Sequence, residues 1–262
     1  MRNLPRISII TPSYNQGHFI EATIRSVLDQ GYPNLEYIVM DGGSTDDTIS
    51  ILKKYDNDLK WVSEPDEGQS HAINKGLAMA TGDIVAYLNS DDLYEAGSLQ
   101  KAADFFTSHP KTMWLTGRCR IIDEQNREFR GFIADYKNFL LARYNYNILL
   151  ITNFICQPAT FLRREAIVEL GDFDESQHRV MDYEYWLRIG RKYRPGIINA
   201  PLASFRVYRE SKTSSSFTRT FAEELTVARR YSSSLLIDTL HYLSCMAICT
   251  AYTVLDRLWS KK

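Results

Sequence analysis

Two rhythms of apolar residues alternate along the first ninety or so positions. Short runs, Arg6–Ile10, Leu35–Met40, Leu59–Ser63 and Ile84–Leu88, are rich in β-branched and aromatic residues and predict buried strands. Between them the apolar positions fall three and four apart, as on a helix face: Ile20, Ile24, Val27 and Leu28, then Ile49, Leu52 and Tyr55, then Ile73, Leu77 and Ala80. Gly31 and Pro33 stop the first helix, and Ser44 or Thr45 is expected to cap the second, with acidic residues in its first turn. Strand and helix recur about every 20 to 25 residues, which predicts βαβ units and a mostly parallel sheet.

Every predicted strand ends in polar residues. These are Thr11–Gly17, Asp41–Asp47, Glu64–Gln69 and Asn89–Asp92. Pro12 has no N–H to donate, so the first strand is expected to stop there. Right-handed crossovers place all four ends on one sheet edge, where open α/β sheets bind ligands. Thr11–Asn15, Asp41, Glu64–Gln69 and Asn89–Asp92 are therefore expected to converge in one crevice. The adjacent carboxylates of Asp91 and Asp92 repel each other, and a hard cation with oxygen ligands relieves that. A helix N-cap is the competing reading of the same residues.

Beyond Asp92 the pattern changes. Ala96–Thr107 predicts a helix broken by His109-Pro110. Met113–Ile122 and Arg127–Ile133 resemble two strands joined by the turn Asp123–Asn126, while Asn138–Ile151 fits no element. Cys156–Leu162 predicts a strand, and Arg163-Arg164 open a helix that Gly171 ends. Asp182–Arg191 is an amphipathic helix with Tyr183, Trp186 and Leu187 on one face. A strand over Ala203–Tyr208, a polar loop over Arg209–Thr213, and helices over 217–232 and 235–259 complete the chain.

Composition narrows the class. At 262 residues the chain holds one large domain or two small ones. A net charge of −1 gives no reason to expect nucleic acid. Sixteen Tyr and twelve Phe suit a sugar-handling surface and core packing equally well. Cys119, Cys156, Cys245 and Cys249 form no CxxC pair. Cys245 and Cys249 share a helix face without a partner pattern, so neither a disulfide framework nor a zinc site is expected, and a reducing compartment fits. The first ten residues turn polar too quickly for a signal peptide.

Four segments, TPSYNQ, VMDGGSTDDT, NKGLAMATGD and NSDD, in this order and spacing, resemble the family 2 glycosyltransferases. The resemblance is strongest over Arg6–Tyr94. It continues more weakly over Cys156–Thr213 in QPATF, GDFDES and MDYEYWLRI. It implies a GT-A fold, a Rossmann-like mixed α/β sheet flanked by helices. Residues 1–215 would form the catalytic domain, with a nucleotide half (1–95) and an acceptor half (96–215), followed by a C-terminal helical extension (216–262). The implied reaction transfers a sugar from a nucleotide donor with inversion.

Such a transfer needs a divalent cation, manganese or magnesium, to neutralise charge growing on the diphosphate. It also needs a base to deprotonate the attacking hydroxyl. By resemblance Asp91 takes the place of the final Asp in the family's Asp-x-Asp metal motif, and Asn89 replaces the first. Asp92 is then a cap or a supporting partner. Asp41 falls where the family binds the base, although a turn Asp before Gly42-Gly43 reads equally from the residues. Thr11, Pro12, Tyr14 and Asn15 would line base and ribose. Asp66, Gly68, Gln69, Asn74, Asn89 and Ser90 would lie beside base and phosphates. Asp182 matches the general base, with helix capping as the alternative; because Met181 stands where many members carry Glu, Glu184 is the second candidate. Gln157, Arg163 and Arg164 fall near acceptor and diphosphate. The late loop lacks a His, so Arg209 or Lys212 would supply its positive charge.

A UDP-sugar donor and a glycan or lipid-linked acceptor in the cytoplasm follow from this resemblance. Two other classes share features with it. A sugar-nucleotide pyrophosphorylase has the α/β architecture, but its Gly-rich N-terminal loop with Arg and Lys is absent. A nucleotide-sugar sensor would keep Asp41 and Asp91 without needing Asp182. The stretch between Asp238 and Asp256 carries no Asp, Glu, Lys or Arg, yet falls short of the about 20 apolar residues a membrane span needs. Peripheral contact with the inner face of a membrane, a homodimer contact and packing against the catalytic domain all remain open for it.

Overall fold

The computed structural model describes residues 4–129, 131–208 and 217–259. Its described strands form one sheet: β1 (Ile7–Ser13), β2 (Leu35–Asp41), β3 (Lys60–Ser63), β4 (Ile84–Tyr87), β5 (Leu93–Tyr94), β6 (Trp114–Ile122), β7 (Thr160–Arg163) and β8 (Gly196–Arg206). The order is β3-β2-β1-β4-β7-β6-β8-β5. The β3-β2-β1-β4 half is parallel, as the alternating pattern predicts. β7 runs antiparallel to both β4 and β6, and β5 antiparallel to β8, so the sheet is mixed.

Ten helices are described: α1 (Ile20–Leu28), α2 (Thr48–Leu52), α3 (Gln69–Met79), α4 (Ser98–Ser108), α5 (Gly131–Ala142), α6 (Tyr146–Ile151), α7 (Arg164–Leu170), α8 (Met181–Gly190), α9 (Phe217–Tyr231) and α10 (Leu235–Trp259). Strand residues alternate between the two faces of the sheet. Ile10, Ile38 and Val85 join α3 and α8 in one core layer, built around Ile73, Leu77, Trp114 and Trp186. Ile7, Ile9, Val39 and Ile84 join α1 and α4 in the other, built around Ile24, Leu99, Phe106 and Phe161.

Several expectations need correction. β1 does not stop at Pro12: Pro12 pairs with Met40 inside the β1–β2 ladder. The Ile10 carbonyl accepts from Leu88 N on the β4 side, and the Ser13 carbonyl accepts from Gly42 N on the β2 side. By alternation the Pro12 nitrogen faces the β4 side, where the β1–β4 register has ended at Ile10, so the missing donor costs nothing. Neither Ser44 nor Thr45 caps α2, which begins at Thr48 after Asp47. Ser44 is instead committed to Asp41. Arg127–Ile133 is not a strand. After the turn at Asp123–Asn126 only a single bridge joins Ile122 to Glu128, and α5 starts at Gly131. In the segment expected as a strand from Cys156, the chain first makes a 3-10 turn over Gln157–Ala159.

Arg163 and Arg164 also differ from expectation. Arg163 donates to the carbonyls of Thr112 and Phe106, and Arg164 to those of Gly82 and Ala80. Arg163 pairs with Ile84, the first residue of β4, so both guanidiniums lie at the sheet edge opposite the polar strand ends. They are bracing groups and face no phosphate site.

Candidate active site

A cavity of about 520 Å³ opens at the carboxyl ends of β1 and β4 and reaches across to α5, α8 and α9. Its floor is Asn89-Ser90-Asp91. Three amides tie this floor together. Gln69 Nε2 donates to Asn89 Oδ1 at 2.6 Å, Asn89 Nδ2 donates to Gln157 Oε1 at 3.3 Å, and Gln157 Nε2 donates to the Tyr87 carbonyl at 2.7 Å. The first residue of α3, the end of β4 and the turn before β7 are thereby fixed to one another.

The two acidic neighbours separate in role. Asp92 is fully buried; its Oδ1 accepts from Arg206 N at 2.8 Å and its Oδ2 from Asn89 Nδ2 at 3.2 Å. Burial, reinforced by the charge of Asp91, pushes its pKa well above the ordinary carboxylate range. Asp91 is half-buried and lines the cavity, with Oδ2 accepting from Tyr208 Oη at 3.1 Å. Its backbone carbonyl accepts from Arg206 Nε at 2.7 Å. Asp91 is therefore the member of the pair that presents negative charge to the cavity.

Across the cavity, Asp182 sits in the first turn of α8. Burial raises its pKa, opposed by the Tyr183 N–H and by the Lys137 charge. The helix beneath it is clamped: Trp186 stacks on Trp114 with ring centroids 5.7 Å apart, and Tyr183 Oη donates to the Leu149 carbonyl at 2.9 Å. Glu184 points elsewhere. Two residues along a helix turn the side chain to the far side, where Arg188 donates to Glu184 Oε2 at 2.6 Å and Tyr231 Oη donates to Oε1. Glu184 does not line the cavity, which removes it as second candidate for the base.

Of the remaining expected residues, Pro12, Tyr14, Asp66, Gly68, Gln69, Asn89, Ser90 and Gln157 line this cavity together with Asp91 and Asp182. Thr11, Asn15, Asp41 and Asn74 do not. Thr11 is fully buried, its hydroxyl 3.1 Å from that of Tyr37. Asn15, at φ 51°, receives the Thr45 N–H at 2.9 Å. Asp41 is only 2% exposed and spends both oxygens on Gly43 N, Ser44 N, Ser44 Oγ and Ser63 Oγ, as a turn residue does. Asn74 donates to the Phe173 carbonyl and accepts from Phe173 N, holding the segment that leads to α8. Arg209 and Lys212 lie outside the described residues.

Sequence reasoning missed several wall residues: Lys137 from α5, His178 and Arg179 before α8, and Glu224 from α9. Burial, with a smaller contribution from the charge of Asp182, pushes the Glu224 carboxyl up to about 8, against the pull of Lys137 and Asn153. Arg206 and Tyr208 fall in the expected strand Ala203–Tyr208, but only the fold shows that they brace Asp91. Lys137 and Glu224 carry no motif; only the packing of α5 and α9 brings them in.

The cavity can hold an anionic ligand's cation at Asp91 and present a carboxylate at Asp182 to an incoming group. Comparisons with known proteins identify the family and the fold. The family model described as glycosyl transferase family 2 matches residues 8–171. A Bacillus subtilis protein described as a candidate teichuronic acid biosynthesis glycosyltransferase, TuaG, is 39% identical over 117 residues, 43% of this chain and 46% of that protein. The chain matches less than half the length of this and the next curated relatives. Among solved structures, the mannosyltransferase PcManGT from Pyrobaculum calidifontis, in complex with GDP-Man and Mn2+, superposes with TM-score 0.71 at 23% identity, over 93% of this chain and 70% of that one. S. aureus TarS 1-349 in complex with UDP-GlcNAc superposes with TM-score 0.67 at 19% identity, over 86% and 66%. At such identities the likeness establishes the fold, a GT-A type mixed sheet flanked by helices.

Proposed function

From the premise that the chain belongs to glycosyl transferase family 2, we propose that it moves a sugar from a UDP-sugar to a hydroxyl of a glycan or lipid-linked acceptor, with inversion. The observation that carries this reading is that Asp91 and Asp182, ninety-odd residues apart in sequence, line the same cavity. The UDP donor is supported by the UDP-GlcNAc complex of TarS, and the glycan acceptor by the biosynthetic role in the name of TuaG.

The residues present fit a divalent cation. Asp91 offers one carboxylate to the cavity while Asp92 is buried and hydrogen-bonded and the Asn89 amide is engaged by Gln69 and Gln157. One carboxylate, with phosphate and water completing the shell, suits manganese or magnesium. Held at Asp91, the cation would neutralise charge on the departing diphosphate. Asp182 takes the acceptor's proton as the acceptor oxygen bonds to C1 of the sugar and the bond from C1 to the diphosphate breaks. A pKa raised by burial makes Asp182 a stronger base than a solvated carboxylate. Single displacement inverts C1. Pro12, Tyr14, Gln69, Gln157 and Lys137 line the same cavity; in this reading the first three would wall the donor and the last two the acceptor.

The reading places the enzyme in the cytoplasm, with α10 as its peripheral contact to a membrane or to a second copy. Leu235, Leu236, Leu243 and Met246 are exposed along that helix, and no described helix is long and apolar enough to cross a membrane. The test compares nucleotide release with donor binding. Asp182→Asn should cut turnover by about 10²–10⁴-fold and leave donor affinity unchanged. Asp91→Ala should lose both turnover and metal-dependent donor binding. Wild-type turnover in Asp182→Asn would remove Asp182 as the base, and donor binding with no turnover in the wild-type chain would leave a nucleotide-sugar-binding protein.

A further inference from the structure

On the inner face of the C-terminal helical hairpin, Glu224 of α9 meets His241 and Cys245 of α10. Each offers one ligand atom, and the three atoms lie within 4.8 Å of one another. His241 and Cys245 are one helical turn apart, so they share a face.

The state of His241 is informative. Its ring is fully buried, and Nδ1 lies 2.7 Å from the Leu150 carbonyl. A carbonyl only accepts, so Nδ1 carries the hydrogen and Nε2 carries the lone pair. That Nε2 is buried and has no hydrogen-bond partner among the described residues. A backbone carbonyl fixing one nitrogen while the other is left free is how metal-binding histidines are oriented. A buried acceptor left unpaired is otherwise costly.

We propose that Glu224, His241 and Cys245 bind a zinc ion that fastens α9 to α10. The donors are a carboxylate, an imidazole and a thiolate, a set that suits zinc and not the hard cations expected at Asp91. Zinc-ligand bonds of about 2.0–2.3 Å bring ligand atoms to roughly 3–4 Å apart, within reach of small side-chain rotations here. Three protein ligands leave a fourth position for water. Glu224 also lines the main cavity, so the ion would set the position of that wall. The sequence reading expects no zinc site because Cys245 and Cys249 share a helix face without a His or Cys partner pattern. The fold instead pairs Cys245 with His241, one turn earlier. This inference does not depend on the proposed transferase chemistry.

The test is a titration of the chelator-stripped full chain with cobalt(II), followed by absorbance. The expected result is about one equivalent bound with the near-ultraviolet band of thiolate-to-cobalt charge transfer, displaced by zinc. Cys245→Ser should lose the band, and His241→Ala should weaken binding by about tenfold or more. Asp91→Ala should keep the band, which separates this site from the donor site. Absence of the band in the wild-type chain would overturn the proposal, whatever the variants do. So would an undiminished band in a folded Cys245→Ser, since the thiolate would then be another.

Discussion

Asp91 and Asp92 adjoin in the chain, yet one faces the cavity and the other is sealed beneath it. The fold predicts different consequences for replacing each of them. Asp92→Asn exchanges an acceptor of the Arg206 N–H or the Asn89 amide for a donor, and should cost about 1–3 kcal/mol, read as a lowered Tm. Asp91→Asn should leave Tm nearly unchanged and abolish metal-stimulated turnover. Asp182 adds a pH dependence. A base must be unprotonated, and its pKa lies above the ordinary carboxylate value. The acid limb of the pH–rate profile should therefore have its midpoint above about 4, with rate rising as pH rises through it. That Asp91 and Asp182 would share one cavity was legible because each stands in a motif at a strand or helix end. Asp41 stood in a motif too, but the same Asp-Gly-Gly sequence also builds a turn, and three of its four hydrogen bonds come from that turn, the fourth from Ser63 of β3. Lys137 and Glu224 were not legible, since nothing local distinguishes them from solvated charges.

At the scale of elements, the βα units before Asp92 follow from apolar spacing, and close packing enforces them. Gly76 of α3 faces β1 so tightly that an added Cβ would sit 2.5 Å from Ile10 Cγ2. Gly76→Ala should destabilise by about 1–3 kcal/mol, measured by denaturant unfolding. Trp186, buried on α8 against Trp114, anchors the helix that carries Asp182. Trp186→Ala should cost about 3–5 kcal/mol and lower turnover in whatever fraction stays folded. Only the start of α5, Gly131–Ile133, fell inside the expected strand Arg127–Ile133, because that short run mixes polar and apolar residues. Ala134 and Leu141, the buried residues of α5, lie seven apart, two helical turns, and the helix prevails. The strand continuing β6 would also have lacked a long pairing partner, since the turn at Asn126 gives one bridge only.

For the whole molecule, the sheet has a functional edge and a structural edge. At the structural edge Glu36 is 4% exposed and receives Ser8 Oγ at 2.7 Å, Thr81 N at 2.7 Å and Lys60 Nζ at 3.2 Å. Burial works to raise its pKa, but these bonds prevail and lower it to about 2 from 4.5. A depressed carboxylate stabilises the fold above its unfolded value, and that contribution disappears as pH falls from 4.5 to about 2. Glu36→Gln should therefore lower stability by about 2–3 kcal/mol at neutral pH, with the gap to wild type closing on acidification. At the functional edge, strand ends far apart in sequence form one cavity, which right-handed crossovers made foreseeable. The antiparallel insertion of β7 and the cover by α9 depend on long-range packing that no local pattern announces.

The most direct measurement is a thermal-shift panel of UDP-sugars and GDP-mannose, with and without manganese, on the wild-type chain and Asp91→Ala. The account predicts that a UDP-sugar raises the wild-type Tm only when manganese is present, and that Asp91→Ala shows no such rise. No shift with any nucleotide-sugar, or an equal shift in Asp91→Ala, would contradict it.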